Sequence, residues 1–362
     1  MEGLGIDMSE KRLVYPDILR IIAIFAVIVI HATANILTAC PPSTAVWRQS
    51  NIISAAARFA VPVFFMVSGI FFLDPERDVS VKKIFSKSLP RLIVALILWS
   101  LLYEVYPAFT AWLKTGKFDF SVIVPGLKKI LYGNEHFHLY FIYLIAGLYL
   151  ITPLLRVFTK IATRRQTEYF LLLFFLCSGV IPTLLKFAPF SSFARVFIQM
   201  DIRMVTGYVG YFLAGHYFSK YVLSKRNKII LYVLGIAAAS AACIGTSYLS
   251  ASQIMPDVSL YEGLSPFSMI YSAAVFVFVK NLRCLNALSE KTSKRIAWVS
   301  KTTFGIYLMH DFLNLALKDL GISLINYPQF LAIPLYSLAS FIVCMLISAL
   351  LLKIPLARKW IV

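Results

Sequence analysis

Ten stretches of this chain are apolar over the length a helix needs to cross a bilayer. They fall at about residues 16–39, 51–73, 89–111, 138–158, 168–185, 204–222, 229–250, 263–279, 299–317 and 328–352. A hydrocarbon layer about 30 Å thick takes about 20 helical residues, with a range of about 17–25. Water is absent there, so each run must satisfy its own backbone N–H and C=O groups, which a helix does. The expectation is an all-α polytopic membrane protein with about ten transmembrane helices. Composition agrees: the chain is 59% hydrophobic and 14% charged, where soluble domains run about 45–50% and about 25%. The 299–317 run is the least regular, because Lys301, His310 and Asp311 interrupt it.

The net charge of +18 would suit either a nucleic-acid partner or a membrane topology signal, and its distribution decides between them. With the N-terminus placed in the cytoplasm, 24 Lys and Arg residues fall in cytoplasmic segments and 9 in outer ones. That asymmetry is the positive-inside pattern and predicts N-in, C-in topology with the bilayer as partner and no nucleic-acid site. The chain reads as one transmembrane domain over 15–352, between cytoplasmic tails 1–14 and 353–362. Its five cysteines (Cys40, Cys177, Cys243, Cys284 and Cys344) form no C-x-x-C pair, so neither a disulfide framework nor a metal site is indicated. The outer connection 114–137 suits a short surface helix and an ordered loop equally.

The segment "YPDILRIIAIFAVIVIHA", residues 15–32, carries more than an anchor needs. Ionisable groups in lipid cost about 2–3 kcal/mol each even on lenient insertion scales, and they tend to serve function. Arg20 and His31 are eleven residues apart, three helical turns, so they share a face and stand about 16 Å apart along the axis. Asp17 precedes Arg20 by three residues and can pair with it. The second run, "NIISAAARFAVPVFFMVSGIFF" at 51–72, places Arg58 at a depth similar to that of His31. Arg58 cannot deprotonate, so it requires an anion, a carbonyl or an aqueous cavity. Pro62 removes a backbone donor one turn later and predicts a kink, while Ser68-Gly69 permits close helix packing. A cavity shared by His31 and Arg58 accounts for these features together.

These residues resemble a known family. "YPDILRIIAIFAVIVIHA" is similar to the opening of the membrane-integral acyltransferase-3 family, and "ARFAVPVFFMVSGIFFL" (57–73) to its second-helix motif. "FHLYFIYLIAGLYLITPLLR" (137–156) and "VSKTTFGIYLMHDF" (299–312) resemble two later landmarks, in the same order and spacing. The branch most resembled O-acetylates bacterial surface glycans, such as the enterobacterial common antigen. Tyr140 stands where the family has Trp, and the family's Arg-x-x-Arg is reduced to Lys87 and Arg91. The resemblance implies a multi-pass protein of the bacterial inner membrane that takes an acyl group from cytoplasmic acyl-CoA, usually acetyl-CoA. The acceptor would be a hydroxyl of a surface glycan or lipid-linked saccharide outside. It implies His31 as general base or transient acyl carrier and Arg58 as oxyanion or orienting group. His138 and His310 are further catalytic candidates, and Arg20, Asp17 and Arg91 form a donor-binding set; no metal is expected.

Among the other ionisable groups, His136 reads as a loop residue, His216 receives no role, and Glu104 is a candidate partner for Arg58 or His31. The alternative function is a polytopic transporter or flippase whose intramembrane Arg and His line a substrate path. Against it, the two halves of the chain show no matching pair of interrupted spans.

Overall fold

The structure is a computed structural model that describes residues 13–117, 119–132, 136–202, 205–253 and 255–362. Residues 1–12 of the expected N-terminal tail lie outside the described residues. The protein is all-helical, with no strand among the described residues. Helix α1 (Tyr15–Ala39) opens with Pro16 in its first turn, where the missing N–H would have had no helical partner. Helices α2 (Ala45–Ala57) and α3 (Ala60–Phe72) follow, then α4 (Val81–Thr115), which contains a π turn over Ile84–Ser88. A short α5 (Ile123–Leu131) precedes α6 (Tyr140–Ile161) and α7 (Arg164–Leu184). The remainder comprises α8 (Ala194–Met200), α9 (Val209–Lys220), α10 (Lys225–Ser250), α11 (Pro266–Lys280), α12 (Glu290–Asp319), α13 (Gln329–Leu351) and α14 (Pro355–Trp360).

Eight helical segments of the described residues are long and apolar enough to span a membrane. The two other expected spans are helical but of a different kind. The 204–222 run yields only the 12 residues of α9, about 18 Å at helical rise. The 299–317 run is the middle of the 30-residue α12, which carries Lys294, Arg295, Lys301 and Asp311. Both are enclosed by neighbouring helices: Val209 through Tyr217 are all buried, as are Gly305 through Asp311. Protein, not lipid, surrounds these two elements, and this removes the demand for a long uncharged stretch.

Helix α1 is the central post. It packs against α2, α3, α11, α12 and α13 and fully buries Leu19, Ala23 and Ile24. Trp47 Nε1 donates to the Leu37 carbonyl at 3.1 Å and ties α2 back onto it. Polar contacts join helices elsewhere: Asn51 Nδ2 donates to the Cys243 carbonyl at 3.0 Å and to Ser247 Oγ at 2.9 Å, and Tyr261 Oη donates to Asn51 Oδ1 at 2.6 Å. Such bonds hold helices together where the hydrophobic effect cannot distinguish lipid from protein.

The second span is broken as Pro62 predicts. Helix α2 ends at Ala57 and α3 starts at Ala60, so the interruption falls at Arg58 and Phe59. Position 62 lacks the N–H that would bond the carbonyl of residue 58. Helices α3 and α9 then touch backbone to backbone. A Cβ on Gly69 would stand 1.8 Å from the Phe212 carbonyl oxygen, and one on Gly215 would stand 1.8 Å from that of Met66.

Residues 114–137 contain helix α5, held by an ion pair of 2.7 Å between Lys129 and Glu104. Glu104 is thereby engaged away from Arg58 and His31. Residues 353–362 fold back as α14: Trp99 Nε1 donates to the Ile361 carbonyl at 2.9 Å, and Val362 is buried.

Gly69→Val is expected to separate α3 from α9, because overpacking costs about 1–3 kcal/mol even where side chains can yield. Gly147→Ala, with nothing within 4 Å of the added Cβ, is expected to be neutral or to stabilise by up to about 1 kcal/mol. Thermal unfolding of the two variants in detergent checks this; equal midpoints would refute the close crossing.

Candidate active site

One face of α1 lines a cavity of about 2110 Å³, with Asp17 and Arg20 toward one end and Val27, Ile30 and His31 toward the other. Pockets for drug-sized ligands occupy about 300–1,000 Å³, so this space holds a large ligand or two at once. The three-turn spacing of Arg20 and His31 sets their separation, about 16 Å, along its wall.

The Arg20 end is strongly cationic. Arg20 lies 3.7 Å from Asp17 and rests over the Phe71 ring at 4.9 Å, and Arg77 rests on the same ring at 4.9 Å. Lys87, on the π turn at the start of α4, also lines the cavity, as do Arg91, Lys353, Arg358 and Lys359. Among the described residues Asp17 is the one carboxylate in this part of the lining. Such a surplus of guanidinium and ammonium groups suits a phosphorylated or otherwise multiply anionic ligand. Arg91 is partly engaged already, since it donates to the Val362 carbonyl and lies 5.6 Å from the Phe304 ring centroid.

The backbone that presents Arg77 is fixed by Arg156 from α6. Its Nη1 donates to the carbonyls of Phe72 at 3.0 Å and Asp74 at 2.7 Å, and its Nη2 to that of Arg77 at 2.7 Å. Thr159 Oγ1 adds a bond of 2.8 Å to the Leu73 carbonyl. The Arg at the end of "LITPLLR" is thus a clamp on the segment between α3 and α4, and it does not line the cavity.

At the other end the cavity wall includes His31, Arg58 and His138. Arg58 sits at the break between α2 and α3, with Nη2 donating to Ser54 Oγ at 2.8 Å and the guanidinium over Tyr261 at 4.5 Å. The break lets its side chain leave the helix surface and enter the cavity. His31 has its ring centroid 5.0 Å from that of His310 and 6.0 Å from that of His138. His310, fully buried, shares its Nδ1 with the Tyr307 carbonyl at 2.7 Å, an acceptor that sets the proton on Nδ1 and frees Nε2 as a base. Tyr307 in turn donates to the His138 carbonyl.

The structure thus brings His31, His138 and His310 together, with Arg58 on the same cavity and Asp17, Arg20 and Arg91 at the far end. It adds residues that the linear reading passed over. His136, expected as a loop residue, lies 2.5 Å through Nε2 from Asp311 Oδ2 and stacks on Tyr103 at 4.2 Å. In the sequence Arg77 and the basic residues of 353–359 read as topology charge, and nothing in their local sequence marks them as cavity-lining. His216 lies buried in α9, apart from this cluster.

The family model of the acyltransferase-3 acyltransferase domain matches residues 13–349, a span that includes Asp17, Arg20, His31, Arg58, Arg91, His138 and His310. No curated protein and no solved structure matches the chain.

Arg156→Ala removes the hydrogen bonds that hold residues 72–77. Amide hydrogen exchange in segment 73–79 is expected to rise by about tenfold or more, at about 1.4 kcal/mol per decade, while α1 stays protected. Unchanged exchange in 73–79 would show that the clamp is dispensable.

Proposed function

The chain belongs to the acyltransferase-3 family, and from that premise we propose that it is an O-acetyltransferase of the bacterial inner membrane. It takes the acetyl group of acetyl-CoA from the cytoplasm and delivers it to a hydroxyl of a surface glycan or lipid-linked saccharide outside. Its sequence landmarks resemble those of enzymes that O-acetylate surface glycans such as the enterobacterial common antigen. The observation that carries this reading is one cavity with two unlike ends, both set by α1: cations around Arg20, imidazoles around His31. The Lys and Arg asymmetry of the sequence orients the Arg20 end toward the cytoplasm.

In this reading Arg20, steadied by Asp17, and Arg91 hold the phosphates of coenzyme A, with Arg77 and Lys87 beside them. The acyl arm then extends along α1 toward His31. His31 accepts the proton of the acceptor hydroxyl as the alkoxide attacks the thioester carbonyl. Arg58 faces the developing oxyanion, and its fixed charge favours that state in a site shielded from lipid. The C–S bond breaks, the new C–O ester bond forms, and the proton passes from His31 to the leaving thiolate. His138 and His310 pack beside His31 and set its orientation.

His31→Ala and His31→Gln are both expected to reduce transfer by about 10²–10⁴-fold, the usual contribution of a general base, with acetyl-CoA binding nearly unchanged. Acetyl transfer and donor affinity of purified protein read the two effects separately. Substantial activity in the Gln variant would reduce His31 to a structural contact.

Arg20→Ala is expected to weaken acetyl-CoA binding by about 10–100-fold, the worth of a charge-assisted bond to phosphate, in a protein that still inserts and folds. Arg20→Lys restores only part of this, because a point charge replaces a bidentate fork. Donor affinity equal to wild type in the Ala variant would move the donor away from this end of the cavity.

A further inference from the structure

Four of the chain's five histidines converge at the His31 end of the cavity, and one of them is not accounted for by acid–base chemistry. His138 is 1% exposed and lies against the Leu308 carbonyl, which already accepts from Tyr103 Oη at 3.0 Å, and neither of its ring nitrogens makes a hydrogen bond of standard geometry among the described residues. A neutral imidazole carries one donor and one acceptor, and leaving either unmet in the interior costs about 1–3 kcal/mol. Its neighbours are ligating groups. His136, His138 and Asp311 each offer one ligand atom, and these atoms all lie within 4.8 Å of one another.

We propose that His136, His138 and Asp311 form a binding site for a divalent transition-metal ion of the zinc class. A His–Asp contact alone explains the 2.5 Å approach of His136 to Asp311, but it leaves His138 stranded; a shared ion satisfies all three. Zinc binds imidazole nitrogen at about 2.0–2.1 Å and carboxylate oxygen at about 2.0–2.2 Å, which places two imidazole centroids on one tetrahedral ion about 5 Å apart. The centroids of His136 and His138 are 5.1 Å apart, and those of His138 and His310 are 5.0 Å apart. Binding would open the short His136–Asp311 contact and draw His138 inward.

The supporting groups have the character of a metal site. Asp311 Oδ1 accepts from Asn314 Nδ2 at 2.5 Å, and Asn314 Oδ1 accepts from Tyr336 Oη at 2.5 Å, so the carboxylate is held by an outer layer of bonds. The His136 ring is braced by Tyr103 at 4.2 Å. The His138 backbone is fixed by Tyr307. His310 lies beside this set but is not among the three whose ligand atoms are within 4.8 Å of one another; its Nδ1 is committed to the Tyr307 carbonyl and its buried Nε2 has no partner among the described residues. Such a His–carbonyl bond is the usual companion of a ligating imidazole. The donor set is nitrogen-rich with one carboxylate, which favours zinc, cobalt or iron over magnesium or calcium. An ion there would lock the segment before α6 to α12, whose two contributions are 175 residues apart in sequence.

The test uses the full-length protein purified in detergent with a tag that contains no histidine run. After removal of loose metal, zinc content is measured by mass spectrometry, and the protein is then titrated with Zn²⁺ and with Co²⁺. The expected result is one equivalent per chain, visible absorption typical of tetrahedral Co²⁺, and a rise in thermal midpoint on adding Zn²⁺. His138→Ala and Asp311→Asn should each lower the bound metal at least tenfold, with monodispersity on size exclusion as the folding control. Wild-type protein that holds no zinc and shows neither the absorption nor the thermal shift would overturn the proposal. So would undiminished stoichiometry in both well-folded variants. Metal content is read without any acyl transfer, so its outcome is separate from that of the proposed activity.

Discussion

Charged and titratable side chains on the first helix cannot face lipid, and the rest of the architecture follows from giving them somewhere else to face. Arg20 and His31 stand three turns apart on one side of α1, and both open onto a single cavity. To enclose that side, α1 sits in the middle of the bundle with α2, α3, α11, α12 and α13 against it. The close crossing of α3 and α9 through Gly69 and Gly215 draws the neighbouring wall in. Two helices with too few apolar residues or too many charges to stand in lipid, α9 and α12, become admissible because others cover them.

The two ends of the cavity are assembled by different means. The cationic end gathers side chains from many places in the chain, including α1, the segment clamped by Arg156, the π turn of α4 and the folded-back residues 353–359. Scattered cations of this kind suit a flexible polyanion. The imidazole end is built from few residues in tight contact, with Tyr307 and Tyr103 fixing the rings. Arg58 reaches it because Pro62 breaks the second span at that residue. The unusual backbone and the unusual side chain coincide, as they do where irregular structure lines a cavity inside a membrane protein.

The family's transfer reaction and the structure meet on α1. In the proposed function, a helix that reaches from a cationic end to an imidazole cluster would bring a donor and an acceptor to one point without moving either substrate across the bilayer. That economy favours a transferase over a transporter, for which a path open end to end would have to alternate.

Apolar run length and the Lys/Arg asymmetry determined the all-α polytopic class from sequence alone, because lipid imposes both rules on every helix independently. The register of Arg20, His31 and Asp17 was equally legible, since helical periodicity fixes which residues share a face. Pro62 announced the break beside Arg58 for the same local reason. The tertiary structure alone decided the rest. His136 does lie in a loop, as expected, but only the packing of α12 brought Asp311 to it across 175 positions. Arg77, Lys353 and Arg358 were indistinguishable from topology charge until the chain folded them onto the cavity. Glu104 belonged to Lys129 rather than to Arg58 or His31. Local rules govern a residue's own helix, whereas partners are set by which helices pack together, and a single sequence does not encode that in any local pattern.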